Sequence, residues 1–133
     1  MAERYFTREE VDALIPALTA LVDRLRAAHH DVKMLRERMQ AEQQRLTLSG
    51  GGVLDQARWR ADGERLGAAT KEAQAAVDGI HETGGVPKDA ELGLVDFPYL
   101  RNGRVVNLCW KHGESRVDWW HGLDEGWAAR KPL

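Results

Sequence analysis

Asp96, Cys109 and His121 are the side chains in this sequence best suited to hold a metal or take part in redox chemistry. A carboxylate, a thiol and an imidazole are ordinary ligands of divalent transition metals. The relation of the first two is set by Asn102-Gly103, which lies between two apolar stretches. An Asn-Gly pair in that setting is the strongest short-range hairpin signal and calls for a type I′ turn. Counting outward from it, Arg101 opposes Arg104, and then Tyr99 opposes Val106, Phe97 opposes Leu108 and Val95 opposes Trp110 on one face that is plainly core. On the other face Leu100 meets Val105, Pro98 meets Asn107, and Asp96 meets Cys109.

The bland alternative weighs against each candidate. A carboxylate beside a thiol raises its pKa and makes it less reactive, and a free cysteine usually packs as a small hydrophobe. Packing is the leading reading of Cys109. His121 is the natural third partner and Glu114 a fourth, but strand parity opposes the grouping. His112-Gly113-Glu114-Ser115 reads as a turn into a strand over 116–121. A two- or four-residue loop there points Val117, Trp119 and His121 to the Trp110 face, away from Cys109. A bulge at Trp119-Trp120 would be needed to reunite them. His121 then reads as a strand-end histidine bonded to a neighbour such as Asp124.

Arg101 and Arg104 face each other at the hairpin tip, where like charges repel unless an anion or acid lies between them. With Lys111 and Arg116 nearby, Arg104 could contact an anion. The favoured reading pairs it with Asp96, Glu91 or an acidic helix residue. Trp110, Trp119, Trp120 and Trp127 concentrate near the end of the chain, and the adjacent pair must point to opposite faces of a strand. His29 and His30 project about 100° apart on a helix and do not make a metal pair. No phosphate-binding loop, nucleophile elbow or H-E-x-x-H motif occurs.

These residues need a scaffold, and the preceding chain supplies helices. Thr7 to Glu10 fits a capping box, and Phe6 with Val11 fits a hydrophobic staple. Apolar residues then recur at three- and four-residue spacing through Val11, Leu14, Leu18, Leu21, Leu25, Val32, Leu35, Met39 and Leu46, predicting a helix over 8–47 with a kink near Pro16. Ser49-Gly50-Gly51-Gly52 breaks it. A second helix over 53–82 carries Trp59, Asp62, Leu66, Ala69, Ala73, Ala76 and Ile80 on one side. Thr83-Gly84-Gly85-Val86-Pro87 is a stop signal. Two helices joined by a short loop pack antiparallel. Pro98 marks its strand as an edge. The expected fold is α+β: a long antiparallel helical hairpin (7–83) followed by a three-stranded antiparallel β-meander and tail (92–133), in one domain over 1–133.

A net charge of −2 gives no case for nucleic-acid or anionic-membrane binding, and 43% hydrophobic with 30% charged residues suits a soluble protein. One cysteine cannot form an internal disulfide. With no signal-peptide core and no run long enough to span a membrane, a cytoplasmic setting is expected.

Two blocks resemble a bacterial family of uncharacterised proteins, domain-of-unknown-function family 2203. The first is Arg4-Tyr5-Phe6-Thr7 with Glu9, Leu14, Pro16 and Leu18. The second is Gly93-Leu94-Val95-Asp96-Phe97-Pro98, Gly103-Arg104, Leu108-Cys109-Trp110, Gly113-Glu114 and Trp120-His121, ending in Gly126 and Arg130. The resemblance implies no activity, substrate or cofactor. Asn107 stands where the pattern carries an aromatic residue.

Two functions follow from these readings. In the leading one the first helix exposes an apolar stripe that its partner helix is too short to cover, and Leu18, Leu21, Leu25, Val32, Leu35 and Met39 make a homodimer interface in a non-enzymatic interaction or assembly protein. In the alternative, Asp96, Arg104, Cys109, Glu114 and His121 form a metal or small-ligand site, with a divalent transition metal as the cofactor they could hold.

Overall fold

The computed structural model describes residues 4–133. Helix α1 (Arg8–Leu48) begins where its capping signals place it. The Thr7 hydroxyl accepts from the Glu10 N–H, and the Glu10 carboxylate accepts from the Thr7 N–H, both at 3.1 Å. The helix runs unbroken through Pro16. Helix α2 (Gln56–Thr83) starts at Asp55, whose carboxylate accepts from the Arg58 N–H at 3.0 Å, and ends at Gly84 in the left-handed conformation. The helices pack along one another, tied by Arg24–Glu72 at 2.7 Å and by Arg38 on the buried Asp62. That ion pair explains an acidic residue in the seam of α2.

An antiparallel sheet follows: β1 (Val86–Asp89), β2 (Leu94–Arg101), β3 (Arg104–Lys111), β4 (Trp119–His121) and β5 (Lys131–Pro132), in that spatial order. The α+β architecture is the expected one, and the sheet gains a short strand on each side of the meander. Asn102 and Gly103 have φ of 52° and 78°, as a type I′ turn requires, and all pairs counted from them are present. Val95, Phe97, Leu108 and Trp110 pack on Val11, Ile15, Leu18, Val22, Ala76 and Ile80 to form the core.

Two expectations are corrected. Pro98 does not make β2 an edge strand, because β1 pairs with its first half, up to Asp96. Beyond that point the Pro98 carbonyl accepts from the Phe6 N–H at 2.8 Å. Within a strand, a residue's N–H and carbonyl point to the same side, so the nitrogen of Pro98 faces away from β3 and costs no ladder bond. The second correction concerns β4. Leu108 pairs with Trp120, Cys109 with Trp119 and Asn107 with His121, one residue displaced from the expected register. Such a slip turns every side chain over, so Trp119 and His121 lie on the Cys109 face. The cause is Val117, which is fully buried. Its N–H donates to the Asp12 carboxylate at 2.7 Å and its carbonyl accepts from Arg8 at 3.4 Å. Helix α1 thus draws this residue into the core and out of the β3 ladder, and β4 begins only at Trp119.

Candidate metal centre

On the sheet face away from the helices, β2 supplies Asp96, β3 supplies Cys109 directly opposite, and β4 supplies His121, two pairs along and opposite Asn107. A carboxylate oxygen, the Sγ and a ring nitrogen lie within 4.8 Å of one another. The three residues are 2%, 1% and 3% exposed. No bulge is needed to gather them, since the displaced register of β4 does so.

The electrostatics of the cluster are unusual. Among the described residues, neither carboxylate oxygen of Asp96 has a hydrogen-bond partner. His121 Nε2 lies 3.0 Å from Oδ2, an ion-pair distance. The other ring nitrogen, Nδ1, is 2.9 Å from the Gly122 carbonyl. A carbonyl only accepts, so Nδ1 carries the proton, and in the neutral ring Nε2 presents its lone pair to the Asp96 oxygen. Two acceptors at that distance require a proton or a metal cation between them. Burial raises the Asp96 carboxyl above its ordinary range, with His121 and Lys88 opposing it. Burial, and then the Asp96 charge, push the Cys109 thiol up to about 12, with the Arg130 guanidinium opposing. A thiol held so high is not a nucleophile at neutral pH, and a histidine engaged with Gly122 and Asp96 is not placed to activate it. Metal ligation changes this, because a coordinating thiol is deprotonated outright.

The remaining candidates fall outside the cluster. Glu114 accepts from the Lys111 N–H at 2.7 Å and pairs with Arg130 at 3.1 Å, so it stands behind Cys109 through Arg130. Arg104 is exposed and forms no ion pair among the described residues. The expected pairing with Asp96 is corrected, since Asp96 projects from the opposite face of the sheet. Arg101 lies over the Trp120 ring at 4.7 Å. The ring of His121 bonds to Gly122 in place of Asp124. Leu18, Leu25 and Leu35 are buried within this chain, and Leu21, Val32 and Met39 are half-buried.

A cavity of about 110 Å³ opens beside the cluster, with Lys88, Asn107, Glu125 and Trp127 on its walls. Sequence reasoning singled out none of these as site residues, and Asn107 entered it only as a departure from the family pattern. Lys88 sits in a strand whose proline reads as a helix stop. Trp127 belongs to a short 3-10 turn, Trp127–Ala129, in what reads as a tail.

Fold and site together define a small α+β protein with a buried carboxylate–thiol–imidazole cluster on the outer face of its sheet. The chain belongs to the family described as "Uncharacterized conserved protein (DUF2203)", whose model matches residues 4–133. No curated protein and no solved structure matches it.

Proposed function

We propose that this protein binds a divalent transition metal through Asp96, Cys109 and His121. The observation that carries the reading is the Asp96 carboxylate, buried with neither oxygen hydrogen-bonded, beside a thiol and an imidazole nitrogen. A buried carboxylate left in this condition is costly, and a cation removes the cost. The mixed S, N and O donor set suits Zn²⁺. Tetrahedral zinc places its ligand atoms about 3.3–3.8 Å apart, so the cluster needs only small side-chain adjustments. Nδ1–H to a backbone carbonyl is the common outer-shell arrangement of a metal-bound histidine.

Elemental analysis of the protein purified without added metal tests this. Near one zinc or related ion per chain is expected, lost in Cys109→Ser and in His121→Ala. A chain that carries none and takes up none from micromolar Zn²⁺ would sink the reading, leaving a structural Asp–His pair beside a packed cysteine. Homodimerisation through α1 is a separate proposal, supported by half-buried Leu21, Val32 and Met39 and by exposed Met34 on that helix. Light scattering on the eluting peak decides it, with a 15.0 kDa monomer at micromolar concentration as the contrary result.

A further inference from the structure

We propose that the fourth coordination position of this metal centre takes a small exogenous anion of the carboxylate class, held by Lys88. The inference rests on the metal reading above and adds what the site is for. Three protein ligands leave a tetrahedral ion one position short, the arrangement of sites that bind or transform a small molecule. Asp96, Cys109 and His121 all line the cavity of about 110 Å³, so that position has space beside it for an anion the size of acetate or bicarbonate.

Lys88 is placed there by a local irregularity. Val86 and Pro87 pair with Asp96 and Val95, but Asp89 pairs with Leu94, so one extra residue is accommodated at Lys88. Bulges of this kind occur next to active sites and re-aim a side chain. Charge counting then separates Lys88 from the other cations nearby. Arg130 is matched by Glu114 at 3.1 Å and Lys131 by Glu125 at 2.8 Å. Among the described residues Lys88 has no ion-pair partner of its own, and its charge is felt at Asp96. A divalent ion with one thiolate and one carboxylate is neutral, so an added anion brings one uncompensated negative charge, which Lys88 balances. The half-buried Asn107, which also lines the cavity, adds an amide able to donate to the anion.

The test uses the full chain loaded with Co²⁺, whose thiolate charge-transfer band reports the centre and whose visible bands report its fourth ligand. Azide and acetate, titrated at constant ionic strength, are expected to shift the visible bands with saturation at one anion per cobalt. Lys88→Ala should weaken azide by about tenfold, the effect of one nearby partly screened charge, and Lys88→Arg should restore it. A thiolate band that appears while the visible bands ignore both anions overturns the inference and leaves the metal reading standing. So does azide binding of equal strength in wild type and Lys88→Ala. Absence of the thiolate band overturns the metal reading and this inference together.

Discussion

Asp96 reverses the usual relation between a carboxylate and stability. Most paired carboxylates have depressed pKa values and stabilise the native state above them. Burial raises that of Asp96 in the folded chain, above the roughly 3.9 of an unfolded aspartate. The native metal-free protein therefore binds this proton more tightly than the unfolded chain does. Its contribution is complete below the unfolded value and is lost as pH rises through the folded one. His121, Cys109 and Lys88 are the titratable groups that act on it, from β4, β3 and β1. In chelator-treated protein, thermal unfolding from about pH 4 upward should show wild type losing stability relative to Asp96→Asn. Parallel profiles in the two proteins would show that Asp96 keeps an ordinary pKa. The pairing of Asp96 with Cys109 was legible because a two-residue turn fixes every pair beyond it. The arrival of His121 was not, because it depends on a long-range bond from Asp12 to Val117 that no local pattern carries.

At the scale of elements, the junction between α2 and β1 is the tightest test of why this sequence folds as it does. Gly84 caps α2 at φ 98°, and a Cβ there would lie 2.2 Å from Cζ of Phe6. Phe6 cannot yield easily, since it packs edge-on against Phe97 with ring centroids 5.1 Å apart. Gly84→Ala should therefore cost about 2–4 kcal/mol, the sum of a left-handed alanine and a displaced core ring. Gly67, inside α2, has nothing within 4 Å of its would-be Cβ. Gly67→Ala should stabilise by about 0.5–1 kcal/mol through helix propensity alone. Urea unfolding of both variants checks the pair, and a destabilised Gly67→Ala would mean that α2 has a neighbour on that side. The helices and the glycine stop were legible because capping and periodicity are local. Strands β1 and β5 were not, because each is short and carries a proline, so pairing with a neighbour rather than propensity makes them strands.

For the whole molecule, the core lies between the helices and one face of the sheet, while the cluster of Asp96, Cys109 and His121 proposed to bind a metal lies on the other face. Its three ligands come from three adjacent strands, so a bound ion ties β2, β3 and β4 together independently of the core. An ion that binds only the folded chain stabilises it by about 2.7 kcal/mol at a hundredfold excess over its Kd. For a chain of this size each kcal/mol moves Tm by about 3–5 °C, so Zn²⁺ should raise the Tm of chelator-treated protein by roughly 10 °C under those conditions. The same addition should leave His121→Ala unmoved, although that chain keeps the exposed His30 and His81 and the half-buried His29 and His112. A rise in Tm that survives His121→Ala would place the ion on those surface histidines instead. In that case the buried carboxylate of Asp96 would have to find its counter-charge in a proton, and its effect on stability would follow pH alone.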